Sequence, residues 1–600
     1  MAVEPMTGPA AAAGPGRRRF AWIFALPVLL VALVLGGAGT ASAHASLDST
    51  DPVSGSTLPS GPPTVTLRFS ESVSTELGGV KVLDPAGKRV DSGNPEHGIG
   101  GGSTVRVKLL SGLGPGTYTV AWRVVSDDSH PVSGAFTFNV IRASAGANVS
   151  GLGQGTDSAV NFADGVARWA AFLSFALLSG SVLFLVALRP AAVGRFRVWM
   201  LLFASWAGLL VSTVAALMFY GPRASGLSFS SAFDLDVLRV TLDSKLGRAL
   251  SVRILVLGAA GALLGYLVAV LGEAERRARI VLGSAWVLLS TGLAATWSMA
   301  DHASVGRQAP LATAADIVHL LAMGCWIGGL AVMLTLLFGP DRDEDGEELP
   351  GGLDVPAVGT FSKAAMASVS VLAVTGVYAA WRQVGSFDAL FSTTFGLLLI
   401  LKVNFVVLMI AAAWVARRWL QARLRSRAGA GARAGDPLPQ RRTLQRAVGA
   451  EAALAIAVIA VTAVLVNTEP GRTAWEREQA TKPRTVSVTQ QYDAGGSAGI
   501  AAGKGLVEAV VDPARTGTNT VDVFVRDPQK NPIDPPEVTA AIALPDKQID
   551  GITLALEHIG PGQWRAQNVS LPMAGTWQLS VSVRTSEIDR ATVTLPVKVR

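Results

Sequence analysis

Asp316-Ile317-Val318-His319-Leu320-Leu321-Ala322-Met323-Gly324-Cys325-Trp326-Ile327-Gly328-Gly329-Leu330 decides the architecture of this 600-residue chain. The stretch lies inside an apolar run over 311–338 whose one charged residue is Asp316. A helix needs about 20 such residues to cross the hydrocarbon layer of a bilayer. Seven further runs of this kind occupy 163–188, 197–220, 248–271, 279–299, 363–385, 394–416 and 444–467. They predict an eight-helix transmembrane bundle over 161–467. Half of all residues are apolar and 16% are charged, which points to a multidomain membrane protein rather than a soluble enzyme.

The charges between the runs give the orientation. Arg189, Arg195 and Arg197 follow the first run, Arg276, Arg277 and Arg279 the third, and the basic stretch from Arg417 to Arg446 the seventh. Positive loops stay in the cytoplasm, so all three belong inside. The loop after the fifth run, Asp341 to Pro356, is acidic and is largely ignored by that rule. An even number of spans returns both flanking segments to the outside. The net charge of +7 therefore reports topology, and nucleic acid is not an expected partner.

Working outward, residues 1–43 read as a signal peptide. A basic run, Arg17-Arg18-Arg19, precedes an apolar core from Phe20 to about Leu35, and Ala41-Ser42-Ala43 fits a small-x-small cleavage site. Cleavage there makes His44 the first mature residue. Residues 44–142 read as a small all-β sandwich or barrel, with alternation in Thr64-Val65-Thr66-Leu67-Arg68-Phe69 and in Tyr118 to Val124. A Gly/Ser/Ala-rich linker, 143–160, leads into the membrane. After a second linker, 468–484, residues 485–600 are again β-patterned and fit an immunoglobulin-like β-sandwich. The single cysteine, Cys325, excludes an intramolecular disulfide and Cys-rich metal sites.

Two groups of residues carry metal-binding chemistry. The α-amine and imidazole of a mature His44 chelate from one residue, and copper(II) favours such nitrogen and oxygen ligation. Asp128 and His130, in Val125-Ser126-Asp127-Asp128-Ser129-His130-Pro131-Val132-Ser133-Gly134, are two apart, so on an extended segment both side chains face one way. Together with His44 they supply three nitrogens and one oxygen, with Glu71 as an outer or axial ligand. The same Asp-x-His-Pro also describes a turn with local side-chain hydrogen bonds, and a cleaved chain must begin with some residue. His97 reads as a solvated surface residue.

The second group lies in the membrane. His302 ends the fourth run, and His319 sits roughly 12 Å down the fifth at 1.5 Å per residue. Asp316, His319 and Met323 share one helical face, and Met299 stands three residues before His302. Ionisable groups at such depth are costly and mark functional sites by default. A descending series of imidazole and thioether suits copper, copper(I) included; the other reading is a His bonded to a neighbouring helix, with Met as packing.

His44-Ala45-Ser46-Leu47 with Asp51-Pro52, Leu67-Arg68-Phe69-Ser70-Glu71, and Ser126 through Gly134 resemble the CopC family of exported copper-binding proteins. That resemblance implies His44, Asp128 and His130 as copper(II) ligands, with Glu71 nearby. No Met lies between 44 and 142, so the Met-rich copper(I) site of some members is not expected here. The membrane part resembles the CopD family through His319-Leu320-Leu321-Ala322, Trp326-Ile327-Gly328-Gly329-Leu330, Thr393-Thr394-Phe395-Gly396, Leu399, Lys402, and Arg446 with Glu451. A position usually Tyr in that family is Phe395. The order resembles CopC–CopD fusions, including YcnJ-like copper importers of Gram-positive bacteria.

The expected function is capture of copper(II) outside the cell membrane and its passage inward past His302, His319 and Met323, in copper homeostasis or resistance. Copper ions, the bilayer and other extracytoplasmic copper proteins are the expected partners. No Walker A motif is present, and no enzyme activity is expected. Two rivals come from other classes. One is a copper buffer or sensor without transport. The other is a copper oxidase or monooxygenase, against which Asp128 argues by filling the in-plane position that oxygen would need.

Overall fold

The computed structural model of the protein describes residues 45–98, 101–144, 157–305, 308–338, 352–353, 355–428, 441–481, 485–495, 503–547, 549–573 and 575–599. The expected signal peptide, His44, most of the first linker and most of the acidic loop lie outside the described residues.

The first unit is a β-sandwich of eight strands: β1 (Leu47–Asp51), β2 (Thr57–Leu58), β3 (Thr64–Phe69), β4 (Val73–Leu83), β5 (Asp91–His97), β6 (Thr104–Leu109), β7 (Gly116–Ser126) and β8 (Pro131–Val140). One sheet runs β1-β3-β6-β5 and the other β2-β8-β7-β4. Val65, Leu67, Val105 and Val107 from the first meet Val82, Val120, Val124 and Phe138 from the second. Alternation along β3 and β6 puts these side chains on one face. β7 departs from the expected half-buried pattern: it is buried on both faces except at Arg123. The reason is tertiary, since Val125 of its outer face joins Leu77 against Tyr220 and Ala224 of the helical unit.

The helical unit comprises α1 (Ser158–Leu188), α2 (Phe196–Ser225), α3 (Leu235–Asp243), α4 (Lys245–Val270), α5 (Arg276–Ser298), α6 (Ala309–Phe338), α7 (Val355–Val384), α8 (Phe387–Ser392), α9 (Thr394–Ala428) and α10 (Arg441–Val466). Among the described residues, eight helices are long and apolar enough to cross a membrane. α1 and α6 form the centre, 67% and 61% buried over their most apolar windows against 6% for α7. They can be central because they touch through glycine. A Cβ on Gly180 would lie 1.8 Å from the Gly324 carbonyl oxygen, and one on Gly328 2.5 Å from the Ser181 nitrogen. Small residues that let backbones meet are the usual currency of helix packing in lipid. Ser181 Oγ adds a hydrogen bond to the Gly328 carbonyl at 3.2 Å.

The stretch 468–484, expected as a linker, carries a further helix, α11 (Gly471–Thr481). Trp475 holds it down against the buried cluster of Val384, Ala389, Phe395 and Leu465. A single anchoring aromatic in a polar segment left too little periodicity to be read as a helix.

The last unit packs two antiparallel sheets. β9 (Val486–Asp493), β10 (Lys504–Asp512), β11 (Gly517–Arg526), β14 (Glu557–Gly560) and β15 (Gln563–Leu571) order as β14-β15-β11-β10-β9. β12 (Glu537–Leu544), β13 (Ile549–Leu554), β16 (Gly575–Arg584) and β17 (Arg590–Val599) order as β13-β12-β16-β17. Trp577 is fully buried at its centre and donates through Nε1 to the Met573 carbonyl at 2.9 Å. Trp577→Ala is expected to cost this unit about 3–5 kcal/mol, seen as a lowered thermal transition of the full chain.

Candidate metal centre

The β7–β8 connection carries the two histidine-site residues that the structure describes. It is a tight turn, the second of the two backbones that Asp-x-His-Pro allows, and not the extended segment suggested by the two-residue spacing. Ser129 adopts φ 68°, and its N–H donates to the Ser126 carbonyl while Ser126 N–H donates to the His130 carbonyl, both at 2.9 Å. Asp128 folds back into this turn. Its Oδ1 accepts from the Ser126 hydroxyl and from the His130 N–H at 3.2 Å, and lies 3.4 Å from His130 Nδ1. Aspartate favours such turns because its short carboxylate satisfies nearby backbone donors. Carboxylate and imidazole are thus brought together by the turn rather than by the pleat of a strand. Asp128 is 0% and His130 6% exposed.

The segment 70–73, which contains Glu71, joins the base of this turn to the start of the described chain. Ser46 N–H donates to Ser70 Oγ and Ser70 N–H to the Ser46 carbonyl, both at 2.9 Å, so the chain joins the sandwich at Ser46 beside Ser70. Two residues beyond Glu71, Val73 pairs with Ser126. The 70–73 corner therefore connects Ser46 to the base of the Asp128 turn. His97 is elsewhere, its Nδ1 3.2 Å from the Thr104 carbonyl. Among the described residues no three or more His, Cys, Asp or Glu side chains group as a metal site; the expected third ligand, His44, lies outside them.

The turn sits on one end of the helical bundle. Tyr220 Oη donates to the Ser129 carbonyl at 3.1 Å. Lys245 Nζ, at the start of α4, donates to the Asp127 carbonyl at 2.8 Å and lies 3.4 Å from Asp127 Oδ1 and 3.2 Å from Ser304 Oγ. From β7, Arg123 donates through Nε to the Ala224 carbonyl at 2.6 Å and through Nη2 to the Arg223 carbonyl at 2.7 Å. Burial at this contact pulls the Arg123 pKa below its ordinary value, yet a guanidinium stays charged. His130 Nε2 is 3.1 Å from the Val466 carbonyl. Arg223, Ala224 and Val466 close α2 and α10, where helix carbonyls have no partner of their own. The β unit supplies the missing donors.

Within the bundle, His302 belongs to a short turn, His302–Ser304, two residues before Ser304; its side chain lies outside the described residues. His319 of α6 meets α7, with Nδ1 2.8 Å from Thr375 Oγ1. The Thr375 hydroxyl donates to the Val371 carbonyl at 2.8 Å, so it accepts from His319 Nδ1–H. That assignment leaves Nε2 with its lone pair, the form in which imidazole binds a metal. Thr375 was not found by sequence reasoning, because nothing local marks a threonine that orients a His 56 residues away. Asp316, on the His319 face, accepts from Ser298 Oγ. Lys402 of α9 lies within electrostatic range of both Asp316 and His319. Met323 packs against the apolar core, and Met299 is 61% exposed.

Comparison with known proteins gives this arrangement a family. The CopC domain profile matches residues 47–141, and that of copper resistance protein D matches 355–465. The second match begins at α7, so the His319 to Leu330 run lies outside it. Copper transport protein CutJ of Bacillus subtilis is 25% identical over 560 residues, covering 92% of this chain and 95% of that protein. Copper resistance protein C of Pseudomonas syringae pv. tomato is 33% identical over 129 residues, covering 21% of this chain and 96% of that one. The crystal structure of CopC from Methylosinus trichosporium OB3b aligns at 28% identity over 16% of this chain and 93% of that chain, with a TM-score of 0.15. Membrane-length helices, a CopC domain and a CopD domain thus occur in one polypeptide, and the chain belongs to the CopC–CopD family of copper transport and resistance proteins.

Proposed function

We propose that this protein captures copper(II) outside the cell and passes it inward across the cell membrane. His44, Asp128 and His130 hold the ion at the capture site, with Glu71 beside it. His302 and His319 line the path through the bundle, where copper(I) is also accommodated, and Met323 has a minor part. All eight apolar helices cross the membrane, with the basic loops in the cytoplasm and both β units outside. The division is a signal peptide at 1–43, a capture domain at 44–142, a membrane domain at 161–467 and an immunoglobulin-like domain at 485–600. The protein is a carrier and not an enzyme; other extracytoplasmic copper proteins supply it.

One observation carries this reading. The turn holding Asp128 and His130 is seated on the bundle end that also carries His302–Ser304, and the Lys245 side chain bridges Asp127 to Ser304. A capture site resting on the mouth of a helical path is an arrangement for handing over an ion.

Proteoliposomes containing the full chain test it. Copper is expected to accumulate inside, and His319→Ala to cut that flux by at least about tenfold, the lower range for damaged metal sites. Copper(II) affinity should remain as in the unsubstituted protein. Tight binding with no flux in the unsubstituted protein would favour a buffer or sensor. Turnover dependent on oxygen or peroxide would favour an oxidase.

A further inference from the structure

The outward face of α9 is built for a partner that the copper path does not supply. We propose that a second copy of this chain covers it, by parallel pairing of α9 with its own image about a two-fold axis. The inference rests on the reading of α9 as a membrane span.

Leu397, Leu401, Asn404, Leu408, Ala411 and Val415 are four and three residues apart in turn. That alternation is the seam of a left-handed helix pair, because a 3.5-residue repeat keeps one line of side chains facing the partner. Every one of the six is exposed, and the four large apolar ones are between 42% and 60% exposed. At 1.5 Å per residue the seam is about 27 Å long, close to the thickness of the hydrocarbon layer. The helix meets its own bundle on a different side. Phe395 and Met409 are buried there, and Lys402 between them lies within electrostatic range of Asp316 and His319. α9 packs chiefly on α10 and the short α8, which leaves the seam open.

Lipid is a poor cover for this seam because of Asn404. That residue stands at the middle of the apolar window Thr394–Val415, and its amide carries two N–H donors and a carbonyl acceptor. Among the described residues its side chain makes no hydrogen bond, and hydrocarbon offers none. A second Asn404 supplies both missing partners, since each amide donates and accepts. Side-chain amides are known to join helices in lipid in this way. All copies insert in one direction, so contact between two α9 helices is parallel, and a two-fold axis sets each seam residue opposite its image. Ala411, two turns beyond Asn404, is small enough to let the backbones approach. The seam stops at Val415. The next position, Arg418, lies over the Trp414 ring at 4.1 Å, and its charge would repel that of a second copy.

The test uses the full chain in liposomes. Chains carrying Cys325→Ser and Asp236→Cys are labelled with donor or acceptor dye, and energy transfer is followed as lipid dilutes the protein. Asn404→Leu is expected to weaken association about tenfold, the size of such a bond between helices in lipid. Asn404→Gln, which keeps the amide, is expected to weaken it less. An unshifted thermal transition checks that Asn404→Leu has folded. In a second measurement Leu408→Cys and Leu255→Cys, both at exposed positions, are oxidised with iodine in a Cys325→Ser background. Linked dimers are expected from the first and not from the second. A chain that stays monomeric at the highest protein-to-lipid ratio overturns the inference and leaves the seam to lipid or to a different protein. A dimer that Asn404→Leu leaves equally tight also overturns it, by placing the contact elsewhere. Reaction of Leu408→Cys with a water-soluble maleimide in sealed liposomes would show that α9 lies outside the bilayer, which is a failure of the spanning reading itself.

Discussion

His130→Ala is expected to lower the copper(II) affinity of the full chain by at least about 100-fold. The figure is the upper range for losing a group that merely supports a metal ligand, and a direct nitrogen ligand counts for more. The substitution also frees Asp128 Oδ1 from the imidazole 3.4 Å away, while the Ser126 hydroxyl and the backbone N–H at 130 still hold that carboxylate. The turn should therefore keep its shape, because its backbone bonds from Ser126 and Ser129 do not involve the ring. His97→Ala is the control, since the His97 ring lies at the Thr104 carbonyl in the β5–β6 hairpin, away from the turn. Chelator competition and the nitrogen splittings of the copper(II) EPR signal check both variants. Equal affinity in His130→Ala and the unsubstituted chain would remove the turn from the site. An Ala inserted before a mature His44 should cause a comparable loss if the terminal amine is a ligand.

The second large effect is structural. Gly180→Leu is expected to prevent the bundle from assembling, with no monodisperse protein recovered in detergent. The first atom of any side chain there would lie 1.8 Å from the Gly324 carbonyl oxygen and also meet Gly328 Cα at 3.0 Å. These are backbone atoms of α6, which cannot swing aside as a side chain does, so α1 and α6 must part. Overpacking usually costs about 1–3 kcal/mol where side chains can adjust, and more is expected here. Parting these helices also breaks the Ser181 bond to the Gly328 carbonyl. Gly258→Ala, in α4 with nothing within 4 Å of its added methyl, is the control. It should be neutral or gain up to about 1 kcal/mol from helix propensity. Recovery of Gly180→Leu with an unshifted thermal transition would mean that the two helices do not cross at this point.

Sequence alone determined the long apolar helices and the two strand-rich units, because those signals are local; the short helices α3, α8 and α11 carry no such signal. Apolar runs of membrane length mark helices by hydrocarbon thickness, and the alternation in Thr64 to Phe69 or Trp577 to Val583 marks strands by the two-residue pleat. Asp128 and His130 were visible for the same reason: three consecutive residues carry the pair. What sequence could not decide depends on where distant helices end. Val466 faces His130 because α10 stops there and leaves a carbonyl unpaired, 336 residues along the chain. Arg123 looked like the polar member of an alternating strand, yet it caps α2, 100 residues away. Thr375 orients His319 only because α6 and α7 pack at that height. The local pair allowed two backbones, a pleat and a turn with local side-chain bonds, and the turn is the one adopted. The spacing suggested a pleat, whereas Ser129 turns left-handed and the Asp128 carboxylate finds its donors inside the turn. Propensity and hydropathy act on neighbours in sequence; orphaned helix carbonyls and orienting hydroxyls find partners only once the units have packed together.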